Sequence, residues 1–164
     1  MKILIFSETH GETSRMYDII SRSRMTTDLV IHLGDCYTDL VDIRNEFPTI
    51  AMLYVRGNCD FGFDCSEAPL SSTVSLEGHR IFYTHGTRYR VGDTLDEIAY
   101  AAESEKCDIA LFGHTHIGLT EKVGGVTVFN PGSLRLPRDG TKGTYGILTL
   151  EGERMIFERK EYGA

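Results

Sequence analysis

Positive charge is scarce in this chain: 17 lysines and arginines stand against 24 aspartates and glutamates in 164 residues, a net charge of −7. Holding a nucleic acid polymer through a basic surface needs clustered Lys and Arg, so that class of partner is disfavoured. A phosphate ligand would have to be attracted by something other than side-chain charge. No apolar run approaches the roughly 20 residues of a membrane span, and the stretch from Ile3 to Phe6 is too short for a signal-peptide core. A cytoplasmic protein without membrane contact is therefore expected. The 4 cysteines, Cys36, Cys59, Cys65 and Cys107, contain no C-x-x-C pair, which points to reduced thiols rather than a disulfide scaffold. Proline occurs only 4 times, and there is no internal repeat, linker or low-complexity segment. A chain of this length buries about 70% of the surface exposed when unfolded, so a single domain over residues 1–164 can form a core without staples.

What the chain does have is a series of short apolar runs that break at polar clusters. Lys2 to Phe6 reads as a buried strand ending at Ser7-Glu8-Thr9-His10-Gly11. Ser14 then caps a helix carrying Met16, Ile19 and Ile20 on one face. Asp28 to Leu33 is a second strand, stopped at Gly34-Asp35 and followed by a helix marked by Leu40, Ile43 and Phe47 and closed by Pro48. Ile50 to Val55 is a third strand, ending at Arg56-Gly57-Asn58-Cys59-Asp60. Thr73 to Leu76 and Arg80 to Thr84 flank a short turn and read as a hairpin whose second arm ends at His85-Gly86. Asp93 caps a helix with Leu95, Ile98, Ala99 and Ala102 inward, and Asp108 to Phe112 is a strand ending at Gly113-His114-Thr115-His116. A hairpin around Gly124-Gly125 leads into Asn130-Pro131-Gly132-Ser133, and two last strands lie near Thr144 to Leu150 and Arg154 to Arg159. Early βα alternation followed by hairpins implies an α/β fold with mixed sheets whose outer faces are covered by helices.

Successive strand ends carry Glu8 and His10, Asp35, Asn58, His85, and His114 with His116, all side chains able to ligate a metal. In α/β sheets functional groups gather in the loops beyond the carboxyl ends of strands, so separate segments can converge on one crevice. Taken singly, Asp35 or Asn58 is as readily a turn residue and His10 or His85 a hydrogen-bonded loop histidine. Together they are not scatter: four of the 6 histidines directly follow apolar strands. His32, inside a strand, and His79, in a turn, read as structural.

These blocks, in this order, resemble those of the calcineurin-like metallophosphoesterases, and most closely the small single-domain branch that includes bacterial and archaeal phosphodiesterases and the retromer subunit of the same fold. The resemblance extends over about the whole chain. It implies a four-layer αββα sandwich, two mixed β-sheets face to face with helices outside, and a two-metal site at one edge. Carried over by position, it puts Glu8, His10, Asp35 and His116 on one divalent ion and Asp35, Asn58, His85 and His114 on the other, with Asp35 bridging. Asn58 and His85 are the expected catalytic positions. Mixed imidazole, carboxylate and amide ligands suit Mn²⁺, the first choice, or Fe²⁺, Ni²⁺ or Zn²⁺. Two ions roughly 3.5 to 4 Å apart can hold a hydroxide between them and clamp phosphate oxygens, which also supplies the positive field the acidic chain lacks. The implied function is hydrolysis of a small phosphoester by a phosphodiesterase. The alternative, which the retromer resemblance allows, is a catalytically weak or inactive interaction protein on the same fold; retention of every histidine ligand position argues against it, and Glu8 argues for it.

Three positions depart from the family pattern. Glu8 stands where the family has Asp, and its extra methylene moves the carboxylate by about 1.5 Å, large beside a metal-distance tolerance of about 0.2 Å. Cys59 stands where larger relatives place a histidine after the Asn; a thiol of pKa about 8.5 is a poor substitute acid, so leaving groups of low pKa are expected to be preferred. Thr87 stands where the small branch commonly has a second histidine. Arg88, Ser133 and Arg135 are candidate substrate contacts, Arg90 and Arg138 lie near them, and Asp60 is expected to accept a hydrogen bond from a ligand histidine. Phe61 and Phe63 are assigned first to core packing and second to stacking on a base or aryl group. Tyr83, Tyr89 and Tyr100 either cover the sheets or contribute to a homo-oligomer interface.

Overall fold

The first strand sets the layering. In β1 (Lys2–Phe6), Ile3 and Ile5 join one apolar cluster while Leu4 and Phe6 join another, the two-sided burial of a strand covered on both faces. The computed structural model describes residues 1–62 and 66–163. After β1 come α1 (Thr13–Ser23), β2 (Leu29–His32), α2 (Thr38–Ile43), β3 (Ala51–Tyr54), β4 (Ser71–Leu76), β5 (His79–Thr84), α3 (Asp96–Ser104), β6 (Ile109–Leu111), β7 (Leu119–Val123), β8 (Val126–Asn130), β9 (Thr144–Glu151) and β10 (Arg154–Glu161). They form two five-stranded sheets, ordered β10-β9-β1-β2-β3 and β4-β5-β6-β8-β7. Each sheet is mixed, with a parallel trio (β1, β2, β3 and β5, β6, β8) flanked by antiparallel strands.

Three apolar clusters define four layers. Ile3, Ile5 and Ile31 of the first sheet meet Ile81, Leu111 and Phe129 of the second between the sheets. Met16 and Ile20 of α1 and Leu40 of α2 pack on the outer face of the first sheet against Leu4, Phe6 and Val30. Ile98, Ala99 and Ala102 of α3 cover the second against Phe82, Ala110 and Val128. The αββα sandwich implied by the sequence is therefore present. No helix among the described residues is long and apolar enough to cross a membrane.

Local details differ from the sequence expectations. Ser14 lies inside α1 and bonds the Glu12 carboxylate at 2.8 Å, so the helix starts without a side-chain cap. Leu95, not Asp93, occupies the capping position of α3, and Asp93 pairs with Arg90 instead. The second helix is shorter than Phe47 and Pro48 suggest: α2 ends at Ile43 and continues as a 3-10 turn, Arg44–Glu46. Phe61 is 81% exposed and does not pack in the core, whereas Tyr83 is buried between the sheets and Tyr100 is exposed. Phe63 and Cys65 lie outside the described residues; Cys36, Cys59 and Cys107 are free thiols.

Both histidines expected to be structural are so. His32 is fully buried: Gly34 N–H donates to its Nδ1 at 3.1 Å, which leaves the proton on Nε2, 3.0 Å from Thr9 Oγ1. Burial drives its pKa down to about 3, keeping it neutral. His79, at the opposite end of the sandwich from the histidine-bearing strand ends, faces acceptors on both sides, Asp108 Oδ2 at 2.5 Å and Gly152 O at 2.9 Å. Only the imidazolium can donate to both, and the Asp108 hydrogen bond raises its pKa.

Candidate metal centre

The parallel strands of both sheets deliver their carboxyl-end loops to one edge. Glu8 and His10 follow β1, Asp35 follows β2, Asn58 follows β3, His85 follows β5, and His114 and His116 follow β6. The loops are bonded across the sheets: the His114 backbone N–H donates to Glu8 Oε1 at 2.7 Å, and His85 Nδ1–H donates to the Leu33 carbonyl at 2.8 Å. Gly34 and Gly57 permit the approach of two of these loops, because a Cβ on Gly34 would lie 2.9 Å from Gly57 Cα and one on Gly57 would strike the Asp35 carboxylate.

Side-chain donors converge in two groups, Glu8, His10 and His116 in one and Glu8, Asp35 and His85 in the other, each with its ligand atoms within 4.8 Å of one another. Glu8 is fully buried; its Oε2 is 3.0 Å from both His10 Nε2 and His116 Nε2, and its Oε1 is 3.6 Å from His85 Nδ1. Glu8 belongs to both groups, because its longer side chain reaches the middle of the cluster, and Asp35 belongs to the second. Asp35 Oδ1 lies 3.5 Å from His85 Nε2 and accepts the Cys59 N–H at 2.8 Å. Asn58 Oδ1 is 2.9 Å from His85 Nε2, and the His114 ring sits edge-on to His85 at 5.1 Å. All seven residues singled out in the sequence are therefore brought to one place.

The backbone there is strained in a consistent way. Glu8, His10, Asp35, Cys36, His114 and His116 all have φ between 44° and 70°, the left-handed region that side-chain-bearing residues rarely occupy. Such residues persist where the surroundings over-determine them, and they cluster at functional sites.

The histidine tautomers carry the chemistry. His116 Nδ1–H donates to the Leu136 carbonyl at 2.7 Å, as His85 does to Leu33. A carbonyl can only accept, so each ring carries a proton on Nδ1 and directs Nε2 toward the cluster. There it faces further acceptors: Glu8 Oε2 for His116, Asn58 and Asp35 oxygens for His85. Each Nε2–oxygen contact can be closed either by a proton on Nε2 or by a cation held between the two atoms.

Charge tuning follows the same geometry. Burial alone would raise the Glu8 carboxyl, but the His116 hydrogen bond, the His85 and His116 imidazoles and the His114 N–H hold it well below the ordinary carboxylate range. The Glu8 hydrogen bond raises His116, while burial lowers His114. Burial, reinforced by the Asp35 carboxylate, pushes the Cys59 thiol up to about 11.

Several supporting residues have roles the sequence did not disclose. Asp60 does not meet a ligand histidine; its carboxylate accepts the backbone N–H groups of Asp35, Cys36 and Gly57 at 2.9, 2.8 and 2.7 Å. Ser133 is fully buried, donating to Glu8 O at 3.1 Å and accepting Leu136 N–H at 2.9 Å, so it ties the loops together and has no free hydroxyl for a substrate. Asn130 holds the loop of His114 by donating to Gly113 O at 2.8 Å. Arg135 is exposed and donates to the His10 carbonyl, while Arg88 is exposed at the mouth of the site.

Two face-to-face mixed sheets with imidazole and carboxylate donors at the ends of their parallel strands define a metallophosphoesterase-type sandwich. Residues 1–153 match the model of the calcineurin-like phosphoesterase superfamily domain, and the chain belongs to that superfamily. It is 36% identical over 154 residues to the probable metallophosphoesterase YsnB of Bacillus subtilis, covering 93% of this chain and 86% of that protein. It is 28% identical over 171 residues to the phosphodiesterase YfcE of Escherichia coli K12, covering 90% and 87%. The crystal structure of a predicted phosphoesterase from Streptococcus pneumoniae superposes with a TM-score of 0.81 at 22% identity, over 98% of this chain and 89% of that one. Divalent metals serve this family, and the donor set at the strand ends is of the type that binds them.

Proposed function

We propose that residues 1–164 form one catalytic domain, a metal-dependent phosphodiesterase acting on a small phosphoester, with Glu8, His10, Asp35, Asn58, His85, His114 and His116 holding two divalent ions. The observation that carries this reading is the fixed orientation of His85 and His116, whose Nδ1–H groups are tied to backbone carbonyls so that both Nε2 atoms face carboxylate or amide oxygens. The donor set fits the group: three-way mixtures of imidazole, carboxylate and amide oxygen suit Mn²⁺ first, and Fe²⁺, Ni²⁺ or Zn²⁺. Divalent ions bound there supply Lewis-acid charge for the phosphoryl oxygens and a water nucleophile at neutral pH.

The chain's own residues position the rest. Glu8 is held by the His114 N–H, and Ser133 grips its carbonyl, so the shared carboxylate cannot swing away. Asn58 is exposed, and its Oδ1 accepts the Thr87 hydroxyl at 3.1 Å, which orients the amide at the mouth. Beside His114 a cavity of 440 Å³ is walled by Val91, Phe112, Ile117 and Leu119, apolar enough to receive an aryl leaving group. Cys59 follows Asn58 as a weak acid, consistent with leaving groups that need little protonation. Free Cys36, Cys59 and Cys107 suit action in the cytoplasm.

Release of p-nitrophenol from bis-p-nitrophenyl phosphate with Mn²⁺ tests the reading. Hydrolysis that stops on adding a chelator and returns with Mn²⁺ is expected. Absence of hydrolysis with Mn²⁺, Fe²⁺, Ni²⁺ and Zn²⁺ alike would favour an interaction protein on the same fold.

A further inference from the structure

Asn58 and His85 also form part of the wall of a second cavity, of 190 Å³, that shares no lining residue with the one walled by Ile117. Its charged lining residues among those described are Arg56 and Arg88, and no carboxylate lines it. Neither arginine is spoken for: the arginine ion pairs of the described residues involve positions 15, 22, 80, 90, 154 and 159. Arg56 Nε is buried, and it is the one buried side-chain polar atom among the described residues without a hydrogen-bond partner. Its backbone is fixed, since Arg56 N–H donates to Pro69 O at 2.9 Å.

In a chain of net charge −7, two arginines among the residues lining one cavity, with no acid among them, favour an anion there. Guanidinium binds carboxylate and phosphate oxygens by paired N–H donors. At about 30 Å³ for each water displaced, the cavity has room for one anionic group and a short carbon chain, not for a polymer strand.

We propose that this cavity receives a second anionic group of the substrate, so that the preferred substrate is a small phosphoester carrying a further carboxylate or phosphate. Arg56 and Arg88 are then specificity residues for the same site, and the inference rests on the phosphoesterase reading for where the ester itself lies. It adds a selection by charge to a site otherwise open to any small diester.

The test compares three ligands of similar length by calorimetry on the full chain with Mn²⁺: pentylphosphonate, 4-phosphonobutanoate and 1,4-butanediylbisphosphonate. At least one of the two doubly anionic ligands is expected to bind roughly tenfold or more tightly than pentylphosphonate, as charge-assisted bonds to arginine provide; which one identifies the second group as carboxylate or phosphate. Arg56→Met and Arg88→Met are each expected to cut that advantage to less than about threefold, with Arg56→Lys keeping part of it. Thermal melts of the variants check folding, and Arg88→Met carries the test if Arg56→Met does not fold. Equal affinity for all three ligands, or an advantage that survives both substitutions, overturns the proposal. Bis-p-nitrophenyl phosphate hydrolysis on the same preparation separates the two readings: a charge preference without hydrolysis would sink the phosphodiesterase reading alone, and hydrolysis without a charge preference would sink this one alone.

Discussion

Replacing Asp60 by asparagine changes a single oxygen, yet it acts on the loops that carry both Asp35 and Asn58. Asp60 Oδ2 accepts N–H groups from Asp35 and Gly57, and Oδ1 accepts one from Cys36. An asparagine can keep its carbonyl oxygen toward the first two donors, but its NH₂ then faces the Cys36 N–H, donor against donor. Hydrogen bonds to a charged group are worth roughly 1.5 to 3 kcal/mol each, so losing one outright and the charge from the other two costs about 3 kcal/mol. At roughly 2 to 4 °C per kcal/mol for a chain of this size, the melting temperature should fall by about 6 to 12 °C. The assay is thermal unfolding by circular dichroism in chelator, so that bound metal does not mask the loss, followed by Mn²⁺ titration. Metal affinity should drop by about 10- to 100-fold, the usual cost of removing a group that orients ligands. A melting temperature within about 2 °C of native, with unchanged Mn²⁺ affinity, would mean that Asp60 does not hold these loops, since a cost of about 3 kcal/mol would be missing.

Other substitutions probe separate parts of the account. Glu8→Asp withdraws the shared carboxylate by about 1.5 Å from His10 and His116, now 3.0 Å away; Mn²⁺ affinity by calorimetry should fall about tenfold or more, and tighter binding would contradict the central place given to Glu8. With a thiol instead of an imidazole after Asn58, p-nitrophenyl leaving groups should outpace alkyl ones by about 100-fold or more in a steady-state comparison of diesters; equal rates would mean an unrecognised acid. At the far end of the sandwich, His79→Gln should destabilise by about 1 kcal/mol or less, discounted because the Asp108 side chain is 40% exposed. The His79 pKa is raised in the folded state, so the native stabilisation is full below the ordinary imidazole pKa and disappears as pH rises through the raised value. Melting curves of the two proteins should therefore converge at alkaline pH, and a gap that widens there would reverse the assignment.

The strands were legible because their apolar runs serve two buried faces. Leu4 and Phe6 on one side and Ile3 and Ile5 on the other need covering layers, and the amphipathic runs around Met16 and Ile98 supply them. The donor positions were legible because histidines directly after buried strands have few packing reasons to be there. The supporting contacts were not, because they run through the backbone. Nothing in the side-chain pattern marks the Leu33 and Leu136 carbonyls that fix His85 and His116, or the three amides that bind Asp60. Positive φ at Glu8, Asp35 and His114 is equally silent, since none of them is a glycine. The family pattern puts Asp35 between the ions; that Glu8 also reaches both donor groups is a consequence of side-chain length that appears only in three dimensions. Ser14 and Asp93 do not cap their helices, because local polar partners compete for the side chain.

The number of metal ions bound distinguishes a two-ion enzyme from a scaffold of the same fold. Metal-free protein titrated with Mn²⁺ in a calorimeter should bind two equivalents, and His85→Ala should lose one of them while keeping its fold by circular dichroism. Hydrolysis of bis-p-nitrophenyl phosphate should vanish with the lost equivalent. A native protein that binds no Mn²⁺, or a His85→Ala variant that binds and hydrolyses as the native protein does, would contradict the account.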